Sequence, residues 1–227
     1  TTPSDYDQIW EALHNEVVAL ASTWKLFNTL YRDEDSIGLM RAIAPGSFRI
    51  IQDTMLRDVL RMVCAITDKE AMGANSNLSL ERVIKSGAIP CAQVAAKIEQ
   101  QMSSLTSCTG AIRQNRHKAL MHFDLPTKLG VGEKLPAILM RDLETAVACI
   151  CEVMSLLSVA RSGDSWHYDM AVMPDLGAIS WALRDSTRLA RLRKLSNDTG
   201  VSSEQLREML RHRSDRHDDS ILSRRRD

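Results

Sequence analysis

Apolar residues recur at alternating three- and four-residue steps along five stretches of the chain, and strand-like alternation is found nowhere. From Asp5 to Tyr31 the rhythm is Trp10, Leu13, Val17, Leu20, Trp24, Phe27 and Tyr31, which predicts a long helix opened by Pro3 and Ser4 and packed along its length. A second helix, capped by Ser47, carries Phe48, Ile51, Met55, Val59, Met62 and Ile66 inward and a self-paired face of Asp53, Arg57, Asp58 and Arg61 outward. The third runs from Cys91 to His122 on Val94, Ile98, Met102, Leu105, Thr109, Ile112 and Ala119. Gly110 inside it costs about 1 kcal/mol relative to alanine, which implies a bend or a close backbone neighbour. Pro136 to Ala160 forms the fourth, with Leu139, Leu143, Val147, Ile150, Met154 and Leu157 as its stripe. Asp175 to Leu195 forms the fifth, carrying Ile179, Trp181, Leu183, Leu189 and Leu192 beside a basic flank of Arg184, Arg188, Arg191, Arg193 and Lys194.

Turn residues punctuate these helices. Arg32 to Ser36 is a polar loop, Leu39 to Ile43 a short helical turn, and Pro45-Gly46-Ser47 a break. Residues 69–77 form a loop, followed by a short helix from Leu78 to Lys85 capped by Asn77 and closed by Gly87 and Pro90. Pro126, Gly130 and Gly132 mark a loop over 125–135 that turns the chain back. In the irregular segment 162–174, Trp166, His167 and Tyr168 anchor the loop onto the bundle, with stacking on a base as the alternative. Asn197 to Gly200 reads as a turn, Ser203 as the cap of a last helix from Glu204 to Arg211, and the remainder, with His212 and His217, as a polar tail. The expected fold is all-α: an antiparallel bundle of four to five long helices with short accessory helices. Its body spans residues 1–195, and a short helix and tail span 196–227.

Composition narrows the classes of function. The 227 residues have zero formal net charge and are 44% hydrophobic and 26% charged, which excludes a surface that grips nucleic acid everywhere but leaves room for a local basic cleft. Residues 181–227 hold 12 Lys plus Arg against 8 Asp plus Glu, so the C-terminal end is the basic part. Five cysteines, an odd number set mostly among apolar neighbours, read as free thiols in a reducing compartment. Cys149 and Cys151 would point about 200° apart on a helix, and no four-ligand set is present, so no metal and no cofactor is expected. Thr1 to Asp5 has neither a basic region nor an apolar run, and the apolar stretch from Thr145 to Ala160 falls short of the ~20 residues of a membrane span. A cytoplasmic protein without a membrane partner is expected.

The candidate chemistry lies at the end of the third helix, in Arg116-His117-Lys118-Ala119-Leu120-Met121-His122-Phe123-Asp124. Arg116 falls within about 20° of the centre of the apolar stripe, where a guanidinium that keeps its proton needs an anion, a partner or a wet cleft. His122 is roughly 9 Å further along the axis and about 120° round, so the two meet on one phosphate only if two copies of the helix come together. Two readings without a ligand stand beside this one. In the first, Arg116, His117 and Lys118 are cations that suit the C-terminal end of a helix dipole. In the second, Arg116 pairs with a carboxylate such as Asp68 or Glu144.

Arg116, five intervening residues, His122 and Asp124, with His117 in the polar slot after the arginine, resemble the R-x(4-6)-H signature of HEPN domains. Phe27-Asn28-Thr29-Leu30, Ile66-Thr67-Asp68 and Asn77-Leu78-Ser79-Leu80-Glu81 are similar to the AbiU-like branch of that superfamily, found in bacterial abortive-infection proteins. The similarity covers roughly residues 5 to 195. The polar slot is commonly asparagine or aspartate, where this chain has a histidine. The resemblance implies a HEPN-like bundle, a homodimer joined along the motif helix, and a metal-independent endoribonuclease of abortive-infection or toxin-antitoxin type. Arg116 and His122 would then be catalytic, His117 auxiliary, and Lys118 and Arg113 substrate-binding. RNA, and in some settings an antitoxin protein, would be the partners. RNA cleavage of this kind leaves a 2′,3′-cyclic phosphate and a 5′-hydroxyl. The alternative from a different class is a non-catalytic HEPN module that binds RNA, a nucleotide or a protein in the same groove.

Overall fold

The computed structural model describes residues 5–32, 34–72, 75–87, 89, 91–116, 125, 129, 131, 134–168, 176–199, 201–202, 204–205 and 208. Seven helices order these residues: α1 (Asp5–Tyr31), α2 (Glu34–Ile43), α3 (Pro45–Thr67), α4 (Leu80–Ser86), α5 (Ala92–Asn115), α6 (Met140–Ser162) and α7 (Leu176–Thr199). The fold is an all-α bundle. Its one extended feature among the described residues is a two-residue antiparallel pair, β1 (Ala71–Met72) with β2 (Asn75–Ser76), inside the loop expected at 69–77.

The most extensive pairing is α5 on α6, with α1 packed across both α3 and α6. Asn115 Nδ2, at the end of α5, donates to the Pro136 carbonyl just before α6, and the Cys108 thiol one turn or two earlier feels Asp142 and Cys149. Rising positions on one helix thus meet falling positions on the other, so the two run antiparallel. The stripes predicted for α1, α5 and α6 are the core: Leu13, Val17 and Leu20, then Ile98, Leu105 and Ile112, then Leu143, Ile150, Met154 and Leu157 are all buried. Thr109 is buried with them, its hydroxyl donating to the Leu105 carbonyl, which removes the cost of a polar group in the stripe. By length and composition α6 could cross a membrane, with mean hydropathy 1.8 over its most apolar window, but half of that window is buried inside the bundle. A smaller cluster of Leu30, Met40 and Leu183 joins α1, α2 and α7.

Several local expectations are corrected. α2 begins at Glu34, because Glu34 and Asp35 in its first turn suit the positive end of the helix dipole, so Glu34 to Ser36, expected in the loop, are helical. Pro45 sits in the first turn of α3 after Ala44, where its missing N–H costs nothing; Ser47 lies within the helix and is not its cap. α3 is buried from Val59 onward, whereas Ile51 in its first half remains 42% exposed. Ser79, buried and extended, caps α4 by accepting from the Arg82 N–H, while Asn77 Nδ2 donates instead to the Lys69 carbonyl. Among the described residues no neighbour lies within 4 Å of a side chain built on Gly110, so none of them explains that glycine by close backbone approach. Leu139 precedes α6 as a 41% exposed residue and is not part of its stripe. α7 continues through Asn197 to Thr199, where a turn was expected. Ser203 lies outside the described residues, and the neighbouring Ser202 hydroxyl accepts from the Gln205 N–H.

Candidate functional site

The end of α5 is built against the end of α3. Arg113 and Arg116 are three apart on α5 and therefore neighbours on its surface. Both reach Asp68, the residue that closes α3: Arg113 Nη1 donates to Oδ1 at 2.8 Å and Arg116 Nη1 to Oδ2 at 2.5 Å. Arg113 Nη2 also donates to the Thr67 carbonyl and to the Thr67 hydroxyl. Arg116 keeps helical dihedrals (φ −53, ψ −51), so the guanidinium is aimed from a helical backbone. The Asp68 side chain is 12% exposed and that of Arg116 22%, so the pair is shielded but not sealed.

Burial works against the charge on Arg116; the Asp68 hydrogen bond and charge, joined by the Cys64 thiol, outweigh it and raise the guanidinium pKa above its ordinary value. Burial pushes the Cys64 thiol up as well, with the Arg116 and Arg113 charges pulling the other way. Cys64 is thus a protonated thiol in the wall behind the arginines, not a nucleophile. Two guanidiniums share one carboxylate, so Arg113, Asp68 and Arg116 together carry a formal charge of +1 at the C-terminal end of α5. Such a cluster favours an anion, and a guanidinium fixed by a second group can present its remaining N–H donors to a phosphate.

Of the expected site residues, the structure brings Arg113 and Arg116 together on Asp68; His117, Lys118 and His122 lie outside the described residues. Between the two carboxylates offered as partners for Arg116, Asp68 takes the role. Glu144 is engaged by Arg32 through two hydrogen bonds of 2.8 and 3.0 Å.

The segment after Asp68 is pinned by α4. The Glu70 N–H donates to Glu81 Oε2, Arg82 donates to the carbonyls of Asn77 and Glu70, and Lys85 bridges Glu70 and Glu81. Lys85 and the Glu70 N–H hold the Glu81 carboxyl below the usual carboxylate range. These contacts tie the chain to α4 from Glu70, two residues after Asp68, onward. The sequence model of the AbiU2 family, a HEPN family, matches residues 4–178. The chain belongs to this family. No curated protein and no solved structure matches it. In this chain Thr67-Asp68 receives the α5 arginines, and Asn77 and Glu81 bond the backbone of Lys69 and Glu70 just after it.

The periodic pattern did not flag the Arg82 and Lys85 contacts to Glu70, because they join residues on a loop and a seven-residue helix too short for a pattern. It also missed His14. That residue stacks on Trp10 with ring centroids 4.8 Å apart and accepts at Nδ1 from, or donates to, the Tyr168 hydroxyl at 2.7 Å. The i, i+4 spacing of Trp10 and His14 was the available signal.

Proposed function

We propose that this AbiU2-family protein is a metal-independent endoribonuclease of bacterial abortive-infection or toxin-antitoxin type, working as a homodimer with one composite site along the paired α5 ends. The observation that supports this most is Arg116, held by Asp68 at the end of α5 within a cluster of net positive charge. In this reading Arg116 hydrogen-bonds the scissile phosphate and stabilises the charge that builds up on the phosphorane. His122 moves the proton: one imidazole takes it from the ribose 2′-OH and its dimer counterpart gives one to the departing 5′-oxygen, as a group with pKa near neutrality can. His117 assists, and Lys118 and Arg113 flank the strand. The 2′-oxygen displaces the 5′-oxygen, leaving a 2′,3′-cyclic phosphate and a 5′-hydroxyl. No step requires a metal.

One observation favours a second reading. Arg116 already has a carboxylate partner, so it can serve as a structural strut in a non-catalytic HEPN module that binds RNA, a nucleotide or an antitoxin protein. Labelled RNA incubated with the protein and EDTA at several pH values separates the two. Cleavage that survives the chelator supports the nuclease; a shifted but intact RNA across the whole range supports the binding module.

A further inference from the structure

A second site lies at the opposite end of α6, about 30 Å along that helix by its rise per residue. There α1, the last turn of α6 and the segment after it enclose an open cavity of about 610 Å³. Tyr168 is the anchor of this region, 1% exposed and hydrogen-bonded to His14, but Trp166 is not: half of it (49%) stays in solvent at the rim, standing edge-on to His14 with centroids 4.9 Å apart. The Ser155 hydroxyl donates to the Trp166 carbonyl, which ties down the backbone that carries the indole. Behind it, Trp10 is stacked on His14 and covered by the Arg161 guanidinium 4.5 Å from its ring, and its buried Nε1 has no hydrogen-bond partner among the described residues. Arg161 is in turn fixed to Asp7.

The charges decide what such a cavity accepts. Among the described residues that line it, one cation, Arg161, meets two carboxylates, Glu11 and Asp164, for a formal charge of −1, which disfavours a phosphate. A small cation would satisfy that charge but leave most of the space empty, and cavities of about 300–1,000 Å³ are the size that encloses a whole organic ligand. A half-exposed indole beside polar groups suits a flat, hydrogen-bonding ring, since every nucleobase has a face to stack. Glu11 is acceptor-only, so it matches an edge with two adjacent donors, which among the bases is N1–H and N2–H of guanine. Adenine, cytosine and uracil each set an acceptor against the second oxygen. Asp164 at the rim is the kind of group that accepts from ribose hydroxyls.

We propose that this cavity binds an unphosphorylated guanine nucleoside, its base on Trp166 and its donor edge on Glu11. The ligand is either the free nucleoside or the terminal nucleoside of an RNA, and the proposal does not depend on whether the α5 end cleaves anything. The test is a calorimetric titration of the full chain with guanosine, adenosine and guanosine 5′-monophosphate. Variants Trp166→Ala and Glu11→Gln are titrated alongside, with thermal melts to confirm that they fold. Guanosine should bind at least tenfold more tightly than either of the other two. Trp166→Ala should weaken it tenfold or more, and Glu11→Gln should erase the preference over adenosine. No binding of guanosine at its solubility limit, equal binding by the monophosphate, or affinity unchanged in Trp166→Ala would each overturn the site. A short RNA ending in an unphosphorylated guanosine that displaces the bound nucleoside identifies the RNA end as the source; failure to displace it identifies the free nucleoside.

Discussion

The two ends of this bundle fasten irregular chain to helices by opposite physical means. At the α5 end, one carboxylate holds two guanidiniums and a loop is locked by ion pairs and backbone hydrogen bonds. At the far end, Tyr168 fastens the segment after α6 through aromatic packing on His14 and a hydrogen bond to its ring, and the Ser155 hydroxyl holds the Trp166 carbonyl. Charge is specific and unforgiving: remove Asp68 and two like charges face each other in a shielded place. Aromatic packing contributes more in area burial and tolerates small polar changes. The charged end is therefore where chemistry on an anion is expected, and the aromatic end is where stability is concentrated.

That contrast can be broken at several points. Tyr168→Ala should be the most damaging single change, lowering stability by about 3–4 kcal/mol in a chemical denaturation series, since it empties a fully buried aromatic site. Asp68→Ala should cost about 2 kcal/mol, less than a fully buried pair because the arginines reach solvent, and should remove more activity than stability. Ser79→Ala, which deletes the α4 cap, should cost about 1 kcal/mol. A denaturation midpoint for Asp68→Ala lower than that for Tyr168→Ala would reverse the assignment of the two ends.

The smallest effect is a pH dependence, and its sign follows from His14. Burial lowers its pKa below the ordinary 6.5, with Glu11 opposing and Arg161 assisting. The folded state therefore prefers the neutral ring. That contribution is fully present above pH 6.5 and is lost as the pH falls below it toward the lower folded-state value. Melting temperature should decline between pH 7 and 5, more steeply in the wild type than in His14→Gln. Identical slopes would show that the aromatic end does not titrate.

Much of this was legible from periodicity. The stripes of α1, α5 and α6 are long, and each meets a partner along its whole length, so Leu13, Ile112 and Leu157 are buried as the spacing implied. α3 shows the limit of that logic: Ile51 shares the stripe of Val59 yet stays 42% exposed, although Tyr31 of α1 reaches the Phe48 carbonyl one turn earlier. The cap of α4 is ambiguous in the sequence because two candidates stand close together. Asn77 and Ser79 can both cap, and only the hydrogen bonds of Asn77 to the Lys69 carbonyl and the Glu70 carbonyl decide in favour of Ser79. Pro45 reads as a breaker in the sequence, although the same ring is favoured at a helix start. At the site, the inward position of Arg116 was legible and so was the need for an anion beside it. That Asp68 holds Arg113 as well depends on how the end of α3 meets α5, which spacing along one helix does not encode.

The central claim is that the 2′-hydroxyl of RNA attacks its own phosphate under the influence of Arg116 and His122. It is tested most directly with a 5′-labelled RNA in excess EDTA, set beside the same strand carrying 2′-deoxyribose at the cleaved position. The wild type should cut the first to a 2′,3′-cyclic phosphate and leave the second whole, and His122→Ala, melting like the wild type, should slow the first reaction by about 10²-fold or more. Cutting of the deoxy-substituted strand at that position, or an undiminished rate in His122→Ala, would contradict the account.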